Sequence, residues 1–307
     1  MKKYLFAVSI AAALLPSPAL ACAVCGCTLT SDWLTQGFAT QPGTTVSLRY
    51  DLADQSRLYS GSHRIRSSAI VLPSDEEVEI DTLSHVVTAT IDHQFASDFG
   101  INVQLPYVWR RHDHVEIGDT DPTRFHANGV GDLRIVGRWT GLSTKGGLTG
   151  LEAGVVLPTG KTHGEAERSL MPGAGTTQLV AGAFRAGRLS PTIDYVAQVT
   201  GQVSVAGGED FRPGSYAQAS FSLAYTGWRG VTPQLQLNGR IVGREGGLDG
   251  DRENSGGEQL LIAPGGTVSL GHNISAFGFV ELPLATRVNG AQVVAPVKAS
   301  FGLQMKI

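Results

Sequence analysis

Apolar and polar residues alternate along most of this chain, and the C-terminal segment shows the pattern most clearly. Every second residue there is apolar, and the residues between are polar or glycine. A period of two indicates β-strands whose two faces meet different surroundings. The apolar face of this segment comprises Val297, Ala299, Phe301, Leu303, Met305 and Ile307, and the opposite face comprises Lys298, Ser300, Gly302, Gln304 and Lys306.

The same alternation recurs in residues 189–203, 216–227 and 231–244, which are all longer than typical strands of soluble proteins, about 5 or 6 residues. Long strands with one apolar face are typical of transmembrane β-barrels, in which lipid contacts one face and the lumen contacts the other. Closure of the barrel removes the unpaired strand edges that hydrocarbon does not tolerate. We therefore predict an all-β fold, an antiparallel transmembrane β-barrel of about 12 strands over residues 44–307.

Short turns and long polar loops alternate between the predicted strands. An even number of strands places both termini on the periplasmic side, where outer-membrane barrels have their short turns. The short turns are expected near Ser97–Asp98, Ser143–Gly147, Gly187–Arg188, Trp228–Gly230 and His272–Asn273. The longer connections are expected at Tyr59–Val78, Asp113–Asn128, Pro158–Ala174, Ser204–Pro213, Glu245–Gly257 and Arg287–Ala291.

Residues 1–21 have the composition of a bacterial signal peptide. Lys2 and Lys3 precede a short apolar run, and Ala19 and Ala21 occupy the small-residue positions of a cleavage site. The apolar run is too short for a helical membrane span, which needs about 20 residues. We expect residues 22–43 to form a periplasmic lead-in to a barrel in the outer membrane of a Gram-negative bacterium.

All 3 cysteines of the chain, Cys22, Cys25 and Cys27, lie directly after the predicted cleavage site. Thiolates at this spacing can converge on one soft ion, so the cluster is a candidate site for Cu(I) or Zn(II). The oxidising periplasm equally favours one disulfide with a remaining free thiol. A lipid anchor on Cys22 is a third alternative, and the sequence leaves all three open.

The alternation also places a set of charged residues on the lumen face of the predicted strands. Positive and negative side chains nearly balance in this set, whereas a lining of one sign would select counter-ions. A mixed lining suits a polar or zwitterionic solute and predicts weak ion selectivity, but it equally suits internal ion pairs that stabilise a closed barrel. The set comprises Arg49, Asp51, Asp92, Arg110, Asp132, Arg134, Arg138, Glu152, Asp194, Arg240, Arg244, Glu281 and Lys298.

Several histidines and two acidic segments fall near the predicted outer loops. The pair His112 and His114 could bind a transition metal, but the spacing is not that of a regular ligand set, so we interpret the loop histidines as solvated. We interpret the acidic segments as solvated loops that divalent ions could bridge to lipopolysaccharide. The other two histidines are His126 and His163, and the acidic segments are Asp75–Glu79 and Asp249–Asn254.

The formal net charge of −3 shows no basic excess, so we predict no nucleic-acid partner. A hydrolase site on the barrel wall would need a serine paired with a histidine on the outer face. His85 and His93 fall on the outward face of the second strand, but no serine is placed to partner them. We therefore predict that the chain is not an enzyme.

Four segments carry a family resemblance: FGINVQLPYVW at Phe99–Trp109, GVGDLRIVGRW at Gly129–Trp139, GLEAGVVLPTGKT at Gly150–Thr162 and PGAGTTQLVAGAFR at Pro172–Arg185. They resemble outer-membrane proteins of the phenol-degradation MetA-pathway family. The cysteine cluster and the segment YDLADQSR at Tyr50–Arg57 are similar to those of uncharacterised relatives of this type. The resemblance implies a channel or transporter-like role, with no defined substrate and no functional residues.

Three functional hypotheses follow from the sequence. The first is a porin-like channel or transporter for a small solute, in contact with outer-membrane lipid and lipopolysaccharide. The second is a membrane-anchored scaffold or metal-binding protein with an occluded barrel and a periplasmic partner. The third, and the least favoured, is a hydrolase on the barrel wall. A continuous lumen would favour the channel, and a filled lumen would favour the scaffold. A Ser–His contact on the outer wall would favour the hydrolase.

Overall fold

The computed structural model describes residues 42–66, 78–115, 121–144, 146–271 and 273–307. The predicted signal peptide, the cysteine cluster and nearly all of the predicted lead-in lie outside the described residues, as does most of the acidic segment Asp75–Glu79. Within these ranges no helix is both long enough and apolar enough to cross a membrane.

Long antiparallel strands account for most of the described chain. The strands are β1 (Gly43–Gln55), β2 (Arg57–Ser60), β3 (His63–Arg64), β4 (Val78–Gln94), β5 (Phe99–Val115), β6 (Thr123–Val130), β7 (Leu133–Trp139), β8 (Gly147–Leu157), β9 (Thr176–Ser190), β10 (Ile193–Gly207), β11 (Tyr216–Tyr225), β12 (Val231–Val242), β13 (Gly257–Gly271), β14 (Ile274–Val288), β15 (Ala291–Val294) and β16 (Lys298–Lys306). In the described ranges the only helical element is one short 3-10 helix, Arg168–Leu170, between β8 and β9.

One sheet of thirteen strands closes on itself, because β4 pairs with both β1 and β5. Strands β6 and β7 pair with successive parts of β5, so together they occupy the place of one strand in the wall. The result is the closed 12-strand antiparallel barrel that the sequence predicted. Closure gives the strands of this sheet two hydrogen-bonded neighbours each, except β6, which pairs with β5 alone; the paired backbone satisfies its polar groups inside a bilayer.

The wall has the inverse polarity of a soluble protein. Phe221 and Leu237 are cross-strand partners, and the side chain of each is 42% exposed on the outer surface. Their chain neighbours Ser222 and Gln236 also pair, face the lumen and are only 2% and 1% exposed. An apolar outer belt around a polar interior is the arrangement that contact with lipid requires.

The two ends of the barrel differ. The five short connections, after β4, β7, β9, β11 and β13, lie at the end that also holds the start of β1 and the end of β16; we call it the turn end, and the opposite end the loop end. Exposed aromatic side chains surround the turn end, as in the aromatic girdles of membrane barrels. They include Phe95, Phe99, Trp139, Tyr225 and Trp228.

One predicted turn is wrong by a few residues. Gly187 and Arg188 continue the ladder of β9, where they pair with Tyr195 and Asp194 of β10. The turn itself lies between Ser190 and Ile193, and Pro191 favours a turn there because its ring fixes φ.

Three predicted loops also contain regular structure. β5 continues to Val115 and β6 begins at Thr123, so much of the predicted loop Asp113–Asn128 is strand. β10 likewise continues to Gly207, beyond the expected start of its loop. Between β1 and β4, strands β2 and β3 form a small sheet with β15 at the loop end.

Replacement of Phe221 by arginine should destabilise the barrel by about 2–4 kcal/mol, because a charge would face lipid near mid-strand. Phe221→Leu keeps an apolar side chain at the same depth and should cost less than about 1.5 kcal/mol. Urea titrations in liposomes measure both free energies of unfolding. Equal stability of the two variants would contradict the assignment of the outer face.

Candidate functional site

Residues 158–175, between β8 and β9, fold into the lumen; we call this segment the inward loop. Its residues 168–174 line a lumen cavity together with side chains from the barrel wall. Leu170 and Met171 are buried and pack against Ala127 of β6. The Arg110 guanidinium on β5 donates a hydrogen bond to the carbonyl oxygen of Leu170.

Asp132, in the break between β6 and β7, holds both limbs of the inward loop. Its Oδ1 accepts the Gly160 N–H at 2.9 Å, and its Oδ2 accepts the Ala174 N–H at 2.8 Å. The limbs approach so closely that a Cβ on Gly160 would lie 2.7 Å from the Cα of Gly173. Only glycine permits this approach, so Gly160 and Gly173 allow the two limbs to pack together where the loop enters the lumen.

The cavity below the inward loop has a volume of about 370 Å³. Its wall is formed by β1, β4, β5 and β7–β12, and the segment between β10 and β11 contributes Phe211. Arginines outnumber acidic residues in this lining. The arginines are Arg49, Arg110, Arg134, Arg168 and Arg240, and the acidic residues are Asp132 and Glu245.

Three of these arginines contact only neutral groups. Arg134 donates to Gln202 Oε1 at 2.6 Å, and Arg168 donates to the carbonyl oxygens of Gly173 and Ala174 at 3.1 and 2.9 Å. The guanidinium of Arg240 lies 4.4 Å from the centre of the Tyr216 ring. Among the described residues none of the three forms a salt bridge. The charge of Arg168 also interacts with Asp132, whereas those of Arg134 and Arg240 are left to act on the cavity.

A second group of inward charges is buried in polar contacts outside the cavity. Arg138 donates to Asp92 at 2.9 Å near the turn end, and these side chains are only 1% and 5% exposed. Glu152 on β8 accepts hydrogen bonds from Gln198 and Thr200 of β10, across the intervening strand β9. Water therefore has almost no access to the Asp92–Arg138 pair.

Most of the sequence-predicted charged residues fall into these two groups. Arg49, Arg110, Asp132, Arg134 and Arg240 line the cavity. The buried ones are Asp51, Asp92, Arg138, Glu152, Glu281 and Lys298, each 5% exposed or less.

Two of the predicted residues lie elsewhere. Asp194 follows the β9–β10 turn and pairs with Arg188 at 3.1 Å at the rim of the turn end, where both side chains are substantially exposed. Arg244 lies beyond the end of β12 and donates to the carbonyl oxygens of Arg252 and Glu253. Its assignment to the lumen wall is wrong, because alternation was extended past the last ladder residue, Val242.

The interpretation of His112 and His114 as solvated loop residues is also wrong. Both lie on β5, both are 1% exposed, and their rings stack with centroids 5.6 Å apart. His112 Nδ1 bonds to Thr82 Oγ1 at 2.8 Å. The described parts of the chain contain no group of three or more histidine, cysteine, aspartate or glutamate residues that could hold a metal ion.

The outward histidines have partners other than serine. His85 Nδ1 bonds to the Tyr50 hydroxyl at 2.5 Å, and His93 Nδ1 bonds to Thr44 Oγ1 at 2.8 Å. No described residue supplies the Ser–His contact that a wall hydrolase needs.

Glu245, in the loop after β12, is a buried carboxyl that lines the cavity. Burial raises its pKa to about 8, and the nearby charges of Asp251 and Glu167 act in the same direction. Asp251, which the sequence suggested to be solvated, is also buried, and its Oδ1 accepts the N–H groups of Glu253 and Asn254. Near neutral pH Glu245 is therefore mainly uncharged and does not offset the charges of Arg134 and Arg240, whereas Arg49 pairs with Asp51 at 2.9 Å.

Sequence reasoning missed part of the cavity. Arg168 fell in a segment interpreted as an outer loop, and Glu245 in another. Gln202 and Tyr216 are neutral, so a search for lumen charges passed over them. Gly160 and Gly173, where the two limbs of the inward loop approach each other, were the available sequence signal of closely packed backbone.

The inverse polarity, the strand closure and the polar lumen define a transmembrane β-barrel of the bacterial outer membrane, of the class that contains porins and channels. No protein-family model and no curated protein matches the chain, so the resemblance to the phenol-degradation MetA-pathway family stays a prediction.

Solved structures share the fold. The crystal structure of the COG4313 outer membrane channel from Pseudomonas putida F1 is similar with a TM-score of 0.65 and 12% identity, over 88% of this chain and 97% of that one. The NanC porin is similar with a TM-score of 0.50 and 8% identity, over 85% of this chain and 100% of that one. At these identities the similarity demonstrates the fold alone.

Asp132→Ala should release the inward loop, because two backbone N–H groups lose their acceptor at a cost of about 1–3 kcal/mol each where they are buried. Limited proteolysis of the barrel in detergent should then cut residues 158–175 faster than in the wild type. Glu165→Ala, an exposed position in the same loop, is the control. Equal cleavage rates in all three proteins would show that Asp132 does not hold the loop.

The loop after β12 should open more readily as pH rises from about 4.5 to 8. The pKa of Glu245 is higher in the closed loop than its ordinary value of 4.5, so the closed loop binds more protons and loses stability with rising pH. Glu245→Gln should remove this dependence, and Glu258→Gln should retain it. Amide hydrogen exchange of residues 243–256, corrected for intrinsic rates, measures the opening of the loop at each pH. Opening that does not change with pH in the wild type would contradict the role of Glu245.

Proposed function

We propose that this protein is a channel for small solutes, that the solute enters from the loop end into the arginine-lined cavity, and that the channel prefers anions. The observation that carries the proposal is the set of three guanidinium groups, on Arg134, Arg168 and Arg240, that face a lumen cavity without a salt bridge. Rings of arginine or lysine in a pore attract anions and repel cations.

The two acidic residues of the cavity offset these charges only partly. Asp132 can offset the charge of Arg168, its electrostatic partner, while its two oxygens accept backbone N–H groups. Burial raises the pKa of Glu245 to about 8, so this side chain is mainly neutral at pH 7. Excess positive potential in a cleft with low-dielectric walls raises the local concentration of anions.

One observation favours the second hypothesis, an occluded barrel. Inward side chains near the turn end, such as Asp92 and Arg138, are nearly inaccessible to water. For this reason we propose a narrow, solute-specific channel rather than a wide general porin, with the Asp92–Arg138 pair at its constriction.

Wild-type protein in planar bilayers should give small but resolvable currents. The double substitution Asp92→Ala with Arg138→Ala should raise the conductance, because it removes both charged side chains without leaving an unpaired buried charge. The control is Arg188→Ala with Asp194→Ala, which removes an exposed ion pair at the rim of the turn end and should leave the conductance unchanged.

Silent bilayers at all voltages for both the wild type and the Asp92→Ala, Arg138→Ala variant would contradict the channel proposal and favour the anchored scaffold. Conductance that rises equally in the control variant would show that the constriction lies elsewhere.

A further inference from the structure

The cavity wall contains a connected set of polar side chains, which we call the arginine face: Arg134, Gln178, Gln202, Tyr216 and Arg240. Gln202 Oε1 accepts hydrogen bonds from Arg134 at 2.6 Å and from the Tyr216 hydroxyl at 2.9 Å. Gln202 Nε2 donates to Gln178 Oε1 at 2.5 Å. These contacts fix both amides and the tyrosine, and so orient Arg134 on β7 and Arg240 on β12, on either side of β8–β11.

The arginines keep donors that nothing in the protein uses. A guanidinium carries five N–H donors, and Arg134 donates a hydrogen bond from only one of its nitrogens, to Gln202. The Nε–H of Arg240 is buried and has no hydrogen-bond partner. A buried donor without an acceptor costs free energy, and both side chains line the cavity. The arginine face therefore lacks an acceptor that a bound anion would supply.

The side of the cavity formed by the inward loop differs in chemistry. Leu170, Met171 and Pro172 contribute apolar surface, and Phe211 lies beside them with the Arg168 guanidinium 5.5 Å from its ring centre. A ligand in the cavity thus meets guanidinium groups on one side and apolar side chains on the other.

We propose that this cavity is a binding site for a small monocarboxylate with an apolar body. The inference deepens the proposed channel function and rests on it. A planar carboxylate matches the fork of a guanidinium and can accept two N–H groups at once. The apolar side disfavours a heavily hydroxylated acid, whose hydroxyls would lose water without finding partners. The volume of about 370 Å³ suits a small molecule, since ligand pockets span roughly 300–1,000 Å³.

Hexanoate and gluconate are a matched pair of probes, because both are six-carbon monocarboxylates and differ in hydroxylation. Isothermal titration of the full chain in lipid nanodiscs should give saturable binding of hexanoate to one site. Gluconate and inorganic phosphate should each bind at least roughly tenfold more weakly, which corresponds to about 1.4 kcal/mol.

Arg134→Gln with Arg240→Gln should weaken hexanoate binding by roughly tenfold or more, since two charge-assisted donors are lost. Arg229→Gln removes a positive charge from an exposed turn and should leave the affinity unchanged. Heat-modifiable migration of each variant verifies that the barrel is folded.

Gluconate or phosphate binding as tightly as hexanoate, or unchanged affinity in the double variant, would overturn the inference. Bilayer currents from the same preparation separate it from the proposed function. Conduction without hexanoate binding overturns the binding site alone, whereas hexanoate binding without conduction supports the site and overturns the channel.

Discussion

Backbone N–H and C=O groups inside a bilayer need hydrogen-bond partners within the protein, and this requirement determines the architecture of the barrel. Closure through the pairing of β4 with β1 and β5 supplies those partners around the whole wall. Because side chains alternate along each strand, closure also divides them into a lipid-facing set and a lumen-facing set. The apolar belt and the polar interior are two consequences of the same geometry.

The polar interior then determines where charge can be used. Asp92 and Arg138 neutralise each other in a region that water hardly reaches, which is the arrangement a buried charge requires. Around the cavity the inward loop is held by Asp132 through backbone N–H groups, and three of the arginines there form no salt bridge. At the cavity wall Arg49 also pairs with Asp51, at 2.9 Å, so the positive charge that can act on a solute comes from Arg134, Arg168 and Arg240.

Alternation alone was enough to predict the barrel, its number of strands and the outward position of Phe221 and Leu237, because the period of two is set by strand geometry. It failed where the chain leaves the ladder, as at Arg244, and where polar residues form a strand that extends beyond the belt, as at His112. The inward loop could not be predicted in this way, because its course depends on contacts with Asp132 and Arg110, which are distant in sequence.

If the guanidinium groups of Arg134, Arg168 and Arg240 select the solute, the channel must prefer anions. The reversal potential of the wild-type protein in a planar bilayer under a KCl gradient tests this preference most directly. We expect a potential of the sign that chloride permeation gives, moving toward zero in the Arg134→Gln, Arg240→Gln variant. A potential of the cation-selective sign, or one that the double variant leaves unchanged, would contradict it.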